Sequence, residues 1–396
     1  MEYTFSDRIS TIKASAIREI LKLTADPSVI SFAAGNPSPD AFPIDAVKQI
    51  TAEIFEKEPV MALQYSITEG YPALRSYLKE SLLPEINSYR PEMDEVIAVT
   101  GGQQGIDLCC KALCNEGDTV LCENPSFVGA LNAIKSYNTN LVGIDLDSDG
   151  INIEQLEHAL KTKKNVKLLY IIPNFQNPTG LTTSLEKRKA VYELCKKYGV
   201  LILEDNPYGA LRFAGEDVPT IKSLDEDGIV IYAGSFSKVL SPGLRVGFLS
   251  LPKAICAKVV VAKQVNDVHT NILAQMICHH FVTEYDFAAH LERLRDLYRE
   301  KCGFMLEQMD KYFDPRVTFT RPQGGLFIWA TLPEEVDMMQ LCRDAVAQKV
   351  AVVPGSAFLP HEETMVSHSF RLNFSMPSNE QIETGIRLLG EMTHRL

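Results

Sequence analysis

The chain has 396 residues, of which 45% are hydrophobic and 23% charged, and carries a formal net charge of −12 at pH 7. That length can bury a sizeable core in one large domain or two, and the acidic balance argues against a nucleic-acid partner, which a basic surface would attract. A membrane-spanning helix is not expected, because no long uncharged apolar run is present.

The N-terminus, MEYTFSDRIS, lacks the basic-then-apolar pattern of a leader. Nine cysteines are scattered without a CxxC pair or histidines at zinc spacing. The expectation is reduced core thiols, a cytoplasmic chain and no metal. Apolar residues at helical spacing predict an amphipathic helix over 11–24, with Arg18 beside its apolar face. A short strand over 29–32 runs into Gly35-Asn36-Pro37, a turn signal. A helix follows over 45–56, then a polar loop, QYSITEGY, and a helix over 72–80 opened by a proline.

From residue 96 the pattern becomes regular. Apolar strands at 96–100, 119–122, 140–144, 167–172 and 200–203 alternate with helices, and strands beginning near 229 and 245 complete the set. Continuous apolar strands separated by helices predict a mostly parallel, seven-stranded α/β sheet covered on both faces. In such sheets function collects beyond the strand C-terminal ends, and every chemically rich stretch here follows a strand. Helices over 252–264 and 270–283 come next, then a long charged helix over 285–312. Beyond it the pattern turns to α+β. The division expected is an N-terminal segment (1–45), a large domain (46–289) and a small domain (290–396), with the N-terminal segment joining the small one.

SFSKVLSPGLRVGF, residues 235–248, carries the strongest chemical signal. Ser235 and Ser237 offer hydroxyls, and Arg245 a planar fork, to a phosphate dianion. Lys238 beside them suits a Schiff base, since an amine in a dry pocket condenses with an aldehyde. Phosphate and aldehyde together describe pyridoxal phosphate. Gly102 and Gln103, at a helix start after a strand, add backbone donors for an anion. Asp205 in EDNPYG suits a protonated pyridine nitrogen, and Tyr208 a ring oxygen. Taken alone, an Asp at a strand end is more often a turn or helix cap. Asn174 and Asn177 in NFQNPTG both suit the ring oxygen, and a plain Asn-Pro turn is the competing reading. Phe127 suits stacking on a ring or simply the core. Strand alternation in FRLNFS puts Arg371 on the face opposite Phe370 and Leu372, as a carboxylate clamp or a solvated edge residue.

These stretches, in this order, resemble fold-type I pyridoxal-phosphate aminotransferases of class I/II. The likeness rests on Tyr65 in QYSITEG, then GGQQG, NPTG, EDNPYG, SFSK with Arg245, and FRLNFS, and spans nearly the whole chain. SAIREILKLT and NFQNPTG are similar to the branch of 2-aminoadipate and kynurenine aminotransferases and to the catalytic halves of MocR-type regulators. The resemblance implies that Lys238 is the internal-aldimine lysine, that Asp205 pairs with the pyridine nitrogen, and that Tyr208 and Asn177, with Asn174, serve the ring oxygen. It further implies a phosphate site of Ser235, Ser237, Arg245, Gly102 and Gln103. Tyr65 would reach the phosphate of a neighbouring subunit, making a homodimer with shared sites. Arg371 would hold the substrate α-carboxylate, with Gly35 and Asn177 at the substrate, and Arg18 would select its side chain. Phe127 stands where the family often has Tyr, and Gly102 where it often has Ser. The reaction implied is ping-pong transamination from an L-amino acid to a 2-oxo acid. Another pyridoxal-phosphate chemistry such as β-elimination, and a non-catalytic effector-sensing module, are the alternatives.

Overall fold

The computed structural model describes residues 3–10, 12, 26, 28–362 and 364–395. Apart from residue 12, the helix expected over 11–24, and Arg18 with it, lies outside the described residues.

After a two-residue strand, β1 (Ile30–Ser31), the apolar runs form one large sheet. Its strands are β2 (Asp94–Val99), β3 (Thr119–Asn124), β4 (Asn140–Asp147), β5 (Gly150–Ile151), β6 (Val166–Ile171), β7 (Leu201–Asp205), β8 (Val230–Ser235) and β9 (Gly247–Pro252). They lie in the order β2-β9-β8-β7-β6-β3-β4-β5. Strands β4, β3, β6, β7 and β8 pair in parallel, and β9 runs antiparallel to both β8 and β2. The sheet thus has one strand more than the seven expected. The extra strand, β5, folds back on β4 through a tight reversal, with Gly150 at φ 121. Two residues are too few for a periodicity signal.

The mixed-core sheet explains why its strands read as unbroken apolar runs. In β6, Leu168 and Tyr170 belong to the core on one face, and Leu169 and Ile171 to the core on the other. One layer takes Ile106 and Leu108 of the Gly101–Leu113 helix and Val259 of the Lys253–Gln264 helix. The other takes Leu156, Val191 and Cys195. The Leu185–Tyr198 helix shows both of its end signals. Ser184 accepts from the Lys187 amide at its start, and Gly199 closes it with φ 67, contacts worth about 1 kcal/mol at the N-cap.

A buried charge cluster ties the sheet edge to the loop before β8. Lys222 Nζ donates to Asp94 Oδ1 at 2.8 Å, Asp225 Oδ2 at 2.9 Å and the Val230 carbonyl at 2.9 Å. The Phe287–Tyr312 helix then packs along the Asn379–Thr393 helix. A second, antiparallel sheet contains β10 (Thr318–Phe319), β11 (Phe327–Thr331), β13 (Val353–Pro354) and β14 (Ser369–Asn373), ordered β10-β11-β14-β13. Between them in sequence, β12 (Val350–Ala351) pairs in parallel with β1. Arg371 therefore sits on an inner strand, flanked by Trp329 and Val353. Among the described residues no helix is long and apolar enough to cross a membrane, and no three metal-ligating side chains are gathered.

Candidate active site

Beyond the C-terminal ends of β7 and β8 lies a cavity of about 270 Å³. Asp205, Tyr208, Ser235, Ser237, Lys238 and Arg245 line it from the large sheet's loops, and Gly102, Gln103 and Phe127 from two helix starts. Gly35 enters from beside β1, Asn177 from the loop after β6, and Arg371 from β14. Residues 336 positions apart in sequence, Gly35 and Arg371, thus share one wall.

Strand alternation sorts the two acids at the end of β7. Glu204 points to one face, where its carboxylate accepts from the Ile221 and Lys222 amides at 2.9 and 2.7 Å. Asp205 points to the other and lines the cavity, with Tyr170 Oη donating to its Oδ2 at 2.7 Å. Burial pushes the Asp205 carboxyl up, to about 6, against the opposing effect of the Tyr170 hydrogen bond.

Lys238 Nζ donates to the Gly35 carbonyl at 2.7 Å. Burial, then the Arg371 and Arg245 guanidiniums, bring its pKa down to about 8. The arginine of β14 is 3% exposed. Its Nη1 donates to Asn177 Oδ1 at 2.8 Å and its Nη2 to the Ala33 carbonyl at 2.7 Å. Its guanidinium lies over the Phe327 and Phe358 rings, 4.2 and 4.9 Å from their centroids. The Nε–H is buried without a partner among the described residues. An orphaned charged donor in an apolar setting is costly unless an anion completes it. Asn177 also offers its Nδ2 to Tyr208 Oη, at a long 3.5 Å.

The anion side of the cavity lies between the turn after β8 and the start of the Gly101–Leu113 helix. Ser235 Oγ accepts from the Ser237 amide at 3.1 Å, closing the turn after β8. Arg245 sits in the left-handed region at φ 54, its Nη2 donating to the Thr100 carbonyl at 3.4 Å. Gly101, at φ 73, lies so close that a Cβ there would stand 2.3 Å from Arg245 Nη2. This glycine therefore lets the guanidinium lie against the first turn of the Gly101–Leu113 helix. Behind it, Gln104 Oε1 accepts from the Thr100 amide at 2.7 Å, and Lys263, Asp267 and Thr270 complete a partly buried polar network.

Two expected site residues, Asn174 and Tyr65, stand elsewhere. Asn174 does not line this cavity. Its Oδ1 accepts from Arg188 Nη2 at 2.7 Å and its Nδ2 donates to Asn206 Oδ1 at 3.0 Å. It fixes the loop from behind, and Asn177 alone of the pair reaches the cavity. Tyr65 is 82% exposed, its ring edge-on to His269. Arg18 falls outside the described residues. Conversely, reading by motif passed over Tyr170 and Glu123. A tyrosine inside a buried strand needs a partner for its hydroxyl, and that was the available signal for Tyr170. Glu123 is fully buried at the end of β3 and accepts from the Ile172 amide at 3.0 Å and from Gln176 Nε2 at 3.3 Å. Burial pushes its carboxyl up, to about 8.

The donor set fits pyridoxal phosphate. Helix-start amides, two hydroxyls and a guanidinium suit a phosphate dianion, a primary amine suits an aldehyde, and the buried Asp205 suits a cationic ring nitrogen.

The profile of the family described as aminotransferase class I and II matches residues 27–389. An aromatic-amino-acid aminotransferase of Thermococcus litoralis is 40% identical, over 98% of this chain and 94% of its own. The crystal structure of a kynurenine aminotransferase of Pyrococcus horikoshii superposes with a TM-score of 0.94 at 36% identity, covering 99% of this chain and 97% of that one. That of an α-aminoadipate aminotransferase of Thermus thermophilus, complexed with N-(5′-phosphopyridoxyl)-L-leucine, gives 0.91 at 38% identity, with the same coverage.

Proposed function

Because this chain belongs to the class I and II aminotransferases and is a pyridoxal-phosphate-dependent transaminase of fold type I, we propose that it moves the amino group of an L-amino acid to 2-oxoglutarate in two alternating half-reactions. We assign it 2-aminoadipate, kynurenine and aromatic donors, with aliphatic ones accepted as well. The donors named for its relatives support that range.

One observation carries the reading. Lys238 holds a primary amine, with its pKa brought down, in the same cavity as a buried arginine with an unpartnered Nε–H. The amine does the chemistry, and the arginine places an α-carboxylate next to it. When bound, pyridoxal phosphate supplies an aldehyde carbon that links to amines and a ring that takes up the electron pair of a broken Cα–H bond.

This chain's residues do the rest. Arg371 grips the substrate α-carboxylate, while Asn177 holds the guanidinium in place. With the cofactor bound, the Lys238 Nζ amine would serve as the base for the substrate Cα proton. Asp205 would keep a proton on the ring nitrogen. Tyr208 and Asn177 would serve the ring oxygen, and Phe127 would pack on the ring. Ser235, Ser237, Arg245 and the amides of Gly102 and Gln103 would hold the phosphate, with Gly35 on the substrate side. Arg18 is assigned to distal carboxylates.

The assembly we propose is a homodimer with shared sites, in which Tyr65 reaches the phosphate of the partner. The exposed apolar side chains Val60, Leu63, Tyr65 and Val265 support it, since a partner's surface would cover them. Nine free cysteines, most of them buried, support a cytoplasmic location. The division into 1–45, 46–289 and 290–396 is kept as a proposal, and the pairing of β1 with β12 supports joining the first part to the last.

Lys238→Ala should abolish turnover and the visible absorbance of the bound cofactor; a variant that keeps both would sink the assignment. A second test adds single donors without acceptor to the loaded enzyme. Loss of that absorbance with 2-aminoadipate and phenylalanine is expected. Release of ammonia instead of amino exchange would overturn transamination.

A further inference from the structure

Asp205 turns one carboxylate oxygen to the cavity and the other into the sheet interior. Oδ2 accepts from Tyr170 Oη at 2.7 Å, and both side chains are buried. Oδ1 lies on the cavity side, 3.9 Å from the point where a Cβ on Gly102 would stand. Among the described residues no other donor reaches this carboxylate. Tyr170 is fully buried, has one proton to donate, and gives it to Asp205.

We propose that Tyr170 is a positioning residue for the transamination site, whose phenol fixes Oδ2 of Asp205 and leaves Oδ1 as the oxygen presented to the cofactor ring nitrogen. This rests on the reading of Asp205 as the partner of that nitrogen. Tyr170 touches neither cofactor nor substrate and acts through Asp205 alone.

The surroundings make the hydrogen bond consequential. Glu123 at the end of β3, Tyr208 after β7 and Tyr232 on β8 interact electrostatically with Asp205, while Lys238 and Arg371 share its cavity. Burial favours the protonated carboxyl, and the Tyr170 donor is the one group opposing it. A hydrogen bond to the charged form lowers the basicity of a carboxylate. Without it, Asp205 becomes the stronger base, and the proton it shares with a ring nitrogen moves toward Oδ1. The ring is then a poorer electron sink.

The test reads that proton directly. Enzyme loaded with pyridoxal phosphate carrying ¹⁵N in its ring gives a resonance whose position reports ring protonation, independent of turnover. In Tyr170→Phe the resonance should move toward the unprotonated-ring position, and the dissociation constant for pyridoxamine phosphate should rise about tenfold. Site-specific 3-fluorotyrosine at 170, a stronger donor of nearly the same shape, should move the resonance the opposite way. A purely structural role would lower the melting temperature and leave the resonance in place; that result in a folded Tyr170→Phe overturns the proposal. If Tyr170→Phe does not fold, the fluorinated protein decides, and an unmoved resonance there overturns it equally. Asp205→Asn separates the two levels. An unchanged resonance in Asp205→Asn removes the reading of Asp205 itself, whereas a change there with none at Tyr170 removes only this inference.

Discussion

Lys238 and Arg371 are coupled through charge. Burial, then the Arg371 and Arg245 guanidiniums, bring the lysine down to about 8. Removing a like charge should let the lysine pKa rise toward its ordinary value of 10.5. Modification of Lys238 in the cofactor-free protein by pyridoxal phosphate, trapped with borohydride, should therefore rise with pH through a midpoint near 8. In Arg371→Gln that midpoint should move upward, and an unmoved midpoint would separate the two groups. Arg371→Lys keeps the charge and loses the planar fork, so kcat/KM should fall roughly 10- to 100-fold, mostly in KM. Glu123 offers a test with no site chemistry in it. Its carboxyl titrates near 8 when folded against 4.5 ordinarily. The folded state thus holds a proton that the unfolded chain has released between those values. Stability should fall as pH rises through that window, by up to about 1.4 kcal/mol per pH unit. Glu123→Gln, which mimics the neutral acid, should flatten that slope in urea titrations run from pH 5 to 9.

At the scale of elements, the ends of strands decide where chemistry happens, and buried locks hold those ends. The Lys222 cluster joins β2 to the loop that feeds β8, from which Ser235, Ser237 and Lys238 follow. Lys222→Ala leaves Asp94 and Asp225 buried without their cation, and should cost about 3–5 kcal/mol in chemical denaturation. Replacing Lys222 and both acids together by apolar residues should cost less, because no charge is stranded. Gly101 is the corresponding point for the anion site. With φ 73 and Arg245 against it, Gly101→Ala should weaken pyridoxamine phosphate binding while leaving the core intact. Equilibrium dialysis against the unsubstituted protein checks this.

At the scale of the whole molecule, the proposed shared sites predict complementation. Tyr65 stands on the surface, 82% exposed, with its ring edge-on to His269 of its own chain. If it serves the partner's phosphate, Lys238→Ala and Tyr65→Ala chains mixed and reassembled should regain activity that neither parent has. The Tyr65→Ala chain then keeps its own Lys238 and receives an intact tyrosine from the other subunit. Absence of recovery in mixed dimers, verified by mass, would assign Tyr65 to its own chain.

The layered α/β sheet and the pyridoxal-phosphate transaminase class were legible in the residues alone. Continuous apolar strands leave no alternative to burial on both faces, and loops after strand ends carry residues whose types admit few reactions. Lys238, Asp205, Ser235, Ser237 and Arg245 were legible there because each lies within a short local motif. Tertiary structure alone decided what needed long-range neighbours. It set Asn177 in the cavity and turned Asn174 to Arg188, two residues that a local reading cannot tell apart. It put Arg371 on an inner strand against the Ala33 carbonyl and the Phe327 ring, where periodicity left an edge position equally open. It also gave Tyr170 its partner and Glu123 its burial. Periodicity says which face a side chain takes, and only the packing of distant strands says what waits there.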